Sequence, residues 1–508
     1  LEQLVQQGHF SILGLDTPEL RSVTARALHF LPHAVNLSRN VVIRSENPAG
    51  VRGYVMFTET AEVSARYTTF GGLGRSKVRI LDGPAGLVTQ TPAREQRYPV
   101  YFRHLLDRPG TGPRFTFEGN AVTCPLDPMP FKWGVALEGT RGGLIKGNVA
   151  YNWAGFCFGT VDNLSTGNTF ENNFALRCYG TKSREDPEAG IGFWLQDAAN
   201  RVRGNVAANC MSWGIDIHAG NSVLGFTGSQ LLEFADCEVY GGEQGCSFWN
   251  LLGGGTPTQF PDGPRGLVKN FRCWHVYNIA IGLGYPSFHL DFEGCVVRGD
   301  LASVMGAAWA WGDYAIKDFT IKNFDFQGSL EGISGPLMVT GSFVAETGYL
   351  RCHVNYRRYP TGGPGGFTAI PSPKTAVFRN VRMDQLTEWS APEYVGDGTA
   401  ANPGWYGPQW DIDENPCLDW GNMYFFLGDT LQVFSHNGVA TDNFQHYYNE
   451  QKPAFKPPGN VTGNVGNPEP GLTNAQLWTK YGKAYAGAVA PADAVVRPRI
   501  KGLVKPIS

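Results

Sequence analysis

The chain has 508 residues, 42 Lys and Arg against 45 Asp and Glu, and a formal net charge of −3; with no basic cluster along it, nothing gathers phosphates, and nucleic acid is excluded as an expected partner. No stretch approaches the roughly 18 consecutive apolar residues of a membrane span, which argues against membrane insertion. Glycine fills 65 positions, nearly twice its usual share of roughly 7%, and falls in G-N, G-G and D-G pairs between short apolar runs, the punctuation of strands rather than helices.

From Leu1 the chain shows neither a basic n-region nor an apolar h-region, and it is expected to begin as a mature or trimmed fragment. The stretch Arg97 to His104, RYPVYFRH, reads as a short strand in which Val100, Phe102 and His104 share one face and Tyr101 and Arg103 the other. The apolar pair must face the core. Tyr101 and Arg103 are therefore expected to project outward, with His104 on the inward face unless a bulge intervenes.

Repetition governs the next stretch. GVALEGTRGGLIKGNVAYNWA (134–154), GFCFGTVDNLSTGNTFENNFALRC (155–178) and GFWLQDAANRVRGNVAANCMSW (192–213) share one grammar: glycine, an alternating strand, a polar turn, then G-N and a second short strand. GIDIHAGNS opens another unit at Gly214. Gly134 to Gly155 and Gly192 to Gly214 are 21 and 22 residues apart, a length suited to one solenoid coil that buries its alternating face only by stacking on its neighbours. Asn148, Asn168 and Asn205 recur after glycine and are expected to stack amides at one shared turn. In GIDIH, Asp216 and His218 alternate with Ile215 and Ile217 and are expected to face outward.

Similar strands continue through 267–283, 288–300, 314–328 and 375–386. The fold expected is all-β, a solenoid of short strands over 37–390. Residues 391–508, rich in Trp, Tyr, Pro and Gly, form a long irregular C-terminal cap packed on the solenoid, with one helical patch at 471–490. Trp405, Tyr406, Trp410 and Trp420 suit either sugar stacking or cap packing. His275, His289 and His353 are isolated and read as structural.

Ten cysteines form no C-x-x-C pair, which removes the usual zinc and redox signatures. Cys124, Cys157, Cys178, Cys210, Cys273 and Cys295 follow strand-like repeats and read as buried thiols or as disulfides. Asn36, Asn163 and Asn460 begin glycosylation sequons, short enough to arise by chance. Neither metal nor cofactor is expected, since no Walker loop, H-E-x-x-H, G-x-S-x-G or dinucleotide fingerprint occurs.

The blocks LSRNVVIRSENPAGVRGYVMF (37–57), RYPVYFRH (97–104) and LEGTRGGLIKGNVAYNWAGFCFGTVD (137–162) together resemble the β-helix region that follows the G8 domain in bacterial G8-containing proteins. The same region occurs in animal cell-surface and secreted hyaluronidases of the transmembrane-protein-2 and cell-migration-inducing type. The resemblance implies a right-handed parallel β-helix, an extracellular or cell-surface location and a polysaccharide partner, with residues 1–36 as the tail of a G8-like segment. That family carries histidines where this chain has Tyr54, Tyr101, Arg103 and Glu138, and an acidic residue where it has Val161; Asp162 alone is retained.

Tyr, Arg and Glu cannot reproduce the metal binding or proton exchange of clustered imidazoles. Two readings follow. The first is a degenerate-site member serving as surface scaffold or polysaccharide-binding protein, with homo-oligomeric or surface assembly. The alternative is an active polysaccharide hydrolase or lyase in which Tyr101, Arg103, Glu138 and Asp162 carry the chemistry and Tyr54, Asp216 and His218 hold substrate. Glu138 and Asp162 would make a glycosidase pair if about 5 to 9 Å separate their carboxyl groups. A plain Arg103–Glu138 salt bridge is the structural alternative.

Overall fold

The computed structural model describes residues 33–48, 51–75, 97–105, 112–124, 133–180, 190–218, 230–249 and 266–276, and individual strands beyond them as far as Val439–Ala440. Three ladders of parallel strands wind about one axis as a right-handed parallel β-helix, the stacked solenoid that the repeats predict in the form that the resemblance implies. Ladder A stacks Val55–Thr58, Val100–Arg103, Val135–Glu138, Phe156–Thr160, Ile191–Leu195, Trp213–His218 and Gln244–Trp249. Ladder B stacks Val63–Arg66, Phe115–Glu118, Leu144–Lys146, Thr169–Glu171, Arg201–Arg203, Glu233–Ala235 and Gly266–Lys269. Ladder C begins with Val41–Arg44, Thr68–Gly71, Ala121–Thr123, Val149–Ala154, Phe174–Tyr179 and Val206–Cys210.

The interior is filled by the side chains that alternation turns inward. Val100, Phe102, Phe117, Val135, Ile145, Phe158, Phe170 and Phe193 are all fully buried in one continuous core. Stacking of like on like keeps consecutive coils in step: the Phe158 and Phe193 rings lie 5.1 Å apart and 13° from parallel. In-register aromatic neighbours of this kind add roughly 0.5–1.5 kcal/mol beyond their buried area.

The corner between ladders B and C explains the asparagines. Gly119, Gly147, Asn172 and Gly204 take left-handed backbone angles there, and each is followed by a buried asparagine: Asn120, Asn148, Asn173, Asn205. Asn173 Oδ1 accepts both the backbone N–H and the side-chain amide of Asn148, at 3.0 and 2.9 Å. Asn173 Nδ2 donates to Ile145 O at 2.8 Å and to Asn205 Oδ1 at 3.0 Å. Asn168, expected at the same turn, stands instead between ladders A and B, where its backbone N–H donates to Asn200 Oδ1 at 3.0 Å. The correction has a simple cause: a G-N pair marks a left-handed turn followed by an amide cap, and each coil has more than one corner that needs it. Farther along, Cys237 and Cys295 occupy the asparagine position, each thiol directed at a carbonyl of the preceding coil, Val202 O or Val268 O, at 3.7 Å.

Before the first strand the chain crosses the outer face of ladder C. His33 donates its backbone N–H to the Tyr240 hydroxyl at 2.9 Å and lies against the Phe174 ring, and Val35 and Leu37 pack on Val149, Phe174, Ala208 and Tyr240. At the other end the strands lengthen, Ile316–Glu331 pairing in turn with Val339–His353 and that with Thr375–Asp384. Asn422–Leu427 adds one more parallel strand before Thr430–His436 folds back antiparallel. Residues 1–32, the 471–490 patch, the sequon at Asn460, His289 and the aromatics Trp405, Tyr406, Trp410 and Trp420 lie outside the described residues, as do all side chains of 391–508. Among the described residues no helix is long and apolar enough to cross a membrane.

Candidate functional site

The strand Val100–Arg103 sits between Val55–Thr58 and Val135–Glu138, with Arg103 directly between Thr58 and Glu138. Val100 and Phe102 fill the core, and Tyr101 and Arg103 take the opposite face, as alternation requires. Only one of that pair meets water. Arg103 is 45% exposed, whereas Tyr101 is fully buried beneath a layer formed by Tyr98, Ala136, Phe156, Ile191, Trp194 and Trp213. The Tyr98 ring meets Tyr101 edge-on at 5.0 Å and stacks on Trp133 at 4.3 Å, and Trp133 stacks on Phe156 at 4.5 Å. The expectation of a phenol projecting into water is thereby corrected: outward from a strand means into solvent only where nothing covers the sheet.

His104 is the residue the strand rule misplaces. Three successive coils end ladder A with a left-handed residue: Glu59 at φ 51°, His104 at 53° and Gly139 at 52°. The left-handed turn breaks the two-residue alternation and swings the imidazole outward, 46% exposed, onto Gly139. A Cβ on Gly139 would come within 2.6 Å of His104 Nδ1, so the absence of a side chain there is what gives the ring its seat. Backbone bonds hold the column, Glu59 N–H donating to Arg103 O at 3.2 Å and His104 N–H to Glu138 O at 2.8 Å. No signal within a single strand reveals this. It becomes legible only when successive coils are aligned on the glycine of L-E-G.

Glu138 is the hub. Its Oε1 lies 3.8 Å from both Arg103 Nε and His104 Nε2, ion-pair distances too long for hydrogen bonds. Its Oε2 is buried and meets no hydrogen-bond partner among the described residues. Burial, and secondarily the negative charge of Asp162, push the Glu138 carboxyl above the usual carboxylate range. Arg103 and His104, at 3.8 Å, form no charge-assisted hydrogen bond with it that would offset these effects.

Asp162 has a different task. Its Oδ2 accepts the Gly139 N–H at 2.7 Å, and its Oδ1 accepts both the Ser165 N–H at 3.0 Å and the Ser165 hydroxyl at 2.7 Å. It takes over where the column of left-handed residues stops, supplying the acceptor that a backbone carbonyl supplies to His104 one coil below. Both carboxylate oxygens are committed to shaping the A–B corner.

The remaining candidates lie apart. Tyr54, 37% exposed, has the Arg75 guanidinium 5.8 Å above its ring. It precedes Thr58 by four residues, roughly 13 Å along the strand at about 3.3 Å per residue. Asp216 and His218 lie on the outer side of ladder A, three strands beyond Glu138 and so roughly 14 Å up the axis at about 4.8 Å per strand. Asp216 is fully buried between Trp194 and Ser247 in register, which corrects the expectation that it lines an open groove. His218 is sandwiched by Trp194 at 5.5 Å and Trp249 at 5.6 Å. His275, read as structural, takes a left-handed angle and leans on Trp274. The arrangement thus gathers Arg103, His104 and Glu138 into one exposed cluster, with Asp162 behind it, and excludes the tyrosines. Among the described residues, no His, Cys, Asp or Glu group of three or more is arranged to hold a metal ion.

With this geometry in hand, comparison with known proteins gives three results. Residues 88–234 match the family described as CEMIP beta-helix. Solved structures with a similar fold include the catalytic domain of a GH87 alpha-1,3-glucanase in complex with tetrasaccharides, at 12% identity and TM-score 0.33, over 71% of this chain and 69% of that one. The full-length tailspike protein 2 of Escherichia coli O157:H7 bacteriophage CAB120 follows at 11% identity and TM-score 0.19, over 56% and 34%. No curated protein matches the chain. The strands that carry Arg103, His104, Glu138 and Asp162 thus lie within the segment, residues 88–234, that is similar to the CEMIP beta-helix family.

Proposed function

We propose that this β-helix is a polysaccharide-binding protein of glycan-active ancestry whose hydrolytic site is degenerate, working outside the cell or at its surface, as a scaffold in a repeating or homo-oligomeric assembly. The observation that carries the reading is the commitment of Asp162. With its two oxygens accepting three hydrogen bonds from Gly139 and Ser165, the site has one carboxyl group free for chemistry, Glu138, where glycoside hydrolysis ordinarily uses two. What the cluster retains is suited to recognition: Arg103 and His104 offer donors to sugar hydroxyls or carboxylates, and Glu138 offers an acceptor.

A second reading keeps the site active as a hydrolase or lyase. It is favoured by Glu138 itself, whose raised pKa suits a proton donor. Incubation with a panel of acidic and neutral polysaccharides separates the two. The binding reading expects retardation of at least one polysaccharide in affinity electrophoresis, weakened about tenfold or more by Arg103→Ala, with no shortened or unsaturated product. Products that vanish in Glu138→Gln would establish the second reading, and a panel neither bound nor cleaved would overturn both.

A further inference from the structure

We propose that Cys157 and Cys178 are a disulfide-forming pair that staples the coil carrying the Asp162 corner. The two residues stand on different ladders, Cys157 in the ladder A strand Phe156–Thr160 and Cys178 in the ladder C strand Phe174–Tyr179. Their side chains meet in the interior with Sγ atoms 3.1 Å apart, about 1 Å longer than a disulfide bond. No backbone element separates them, and both are fully buried in the same core.

Cys178 has a second sulfur neighbour, and geometry decides between them. Cys210 is its direct register partner on the next ladder C strand. Neighbouring parallel strands hold their side-chain bases about 4.8 Å apart, whereas a disulfide draws its Cβ atoms to about 3.8 Å, so that link would pinch the ladder. Cys157 approaches from across the corner and carries no such constraint.

Formation is a two-electron oxidation. A thiolate of the pair attacks a low-molecular-weight disulfide such as glutathione disulfide and releases one thiol; the other cysteine then attacks the mixed disulfide and releases the second. Two S–H bonds are lost, one S–S bond forms, and the two protons and two electrons leave with the two reduced thiols. Because both sulfurs are sealed from water, the exchange takes place while the coil is open, before packing is complete. The loop it closes holds Thr160, Asp162 and Ser165, so the link fixes the corner that accepts the Gly139 N–H behind the candidate site.

The purified full-length chain, incubated with glutathione disulfide in denaturant just below its unfolding midpoint and returned to buffer, tests the pairing. After full denaturation and alkylation, peptide mapping is expected to recover the Cys157 and Cys178 peptides linked and two hydrogens lighter, with the other cysteines alkylated. The oxidised chain should unfold at least tenfold more slowly than the reduced one, a difference removed by dithiothreitol and absent from both Cys157→Ala and Cys178→Ala. Recovery of both residues as alkylated thiols, or a link from Cys178 to Cys210, overturns the inference.

Discussion

The candidate site rests on one backbone torsion. Gly139 at φ 52° tolerates a conformation in which an L side chain costs roughly 1–2 kcal/mol, and its bare Cα seats the His104 ring. Gly139→Ala should therefore lower stability by about 2 kcal/mol or more, read as a shift in the denaturant midpoint, and His104→Ala in the same chain should recover the steric part but not the torsional part. Glu138 makes a separate prediction in pH. Its folded pKa lies above the unfolded value of an ordinary glutamate, so the neutral form is the one the fold accommodates. The stability it contributes is full below the unfolded pKa and is lost as pH rises through the folded pKa. Glu138→Gln should thus stabilise the chain relative to wild type at neutral pH, and the advantage should shrink as pH falls through the raised folded pKa and be gone below about 4.5, the reference carboxyl value. A difference that grows on acidification would contradict the assignment. Burial first and the negative charge of Asp162 second set that midpoint, with Arg103 and His104 the basic side chains facing the carboxyl at 3.8 Å.

At the scale of one ladder, two columns do the aligning. The buried one is the asparagine stack: Asn173→Ala would strip partners from the Asn148 N–H, the Asn148 amide and Ile145 O at once. At about 1–3 kcal/mol per buried unsatisfied group, the loss should exceed 3 kcal/mol in denaturant titration. The exposed one runs down the outside of ladder B, where register sets Arg66, Glu118, Lys146, Glu171 and Arg203 side by side in alternating charge. Glu171 is its best-bonded member, 3.0 Å from Lys146 Nζ and 2.6 Å from Arg203 Nη2, and the Lys146 bond, then Arg203, hold its carboxyl below the usual range. Its contribution is present above the unfolded pKa and is lost as pH falls through the folded one. Glu171→Gln should cost only about 0.5–1 kcal/mol, as exposed pairs do, and less at 1 M salt. The contrast between these columns also marks what a sequence discloses. Strand alternation and the G-N corners are local, so the coil, the inward residues and the outward turn of Arg103 can be read from RYPVYFRH and its neighbours. Which charges meet, that Asn168 belongs to another corner, that Tyr101 is roofed over and that His104 swings outward all depend on which coil lies above which, information spread over 25 to 36 residues of chain.

Stacked coils make a molecule whose cohesion is nearly one-dimensional: each coil is held by the one before and the one after. The described first coil has a neighbour on one side only. Among the described residues its strand Val41–Arg44 pairs with Thr68–Gly71 alone, and Val41, Val42 and Ile43 remain 55%, 54% and 40% exposed. Phe156–Thr160 and Ile191–Leu195, by contrast, are buried at every position and paired on both sides. Local opening free energies follow such contacts, from near zero at frayed ends to the global value in the interior. Amide hydrogen exchange should accordingly be fast over 41–44 and slowest over 156–160 and 191–195, with Val100–Arg103 and Val135–Glu138 between them. The perturbation that tests the one-dimensional picture is Phe158→Ala, which removes a fully buried ring stacked on Phe193 at a cost of about 3–5 kcal/mol. If coils are coupled mainly to their neighbours, protection should fall in Val135–Glu138, Phe156–Thr160 and Ile191–Leu195 and recover within two coils on either side. A uniform loss of protection from Val41 to Trp274 would mean that the solenoid opens as one cooperative unit, and the candidate site would then share its stability with the whole chain rather than with the coils that build it.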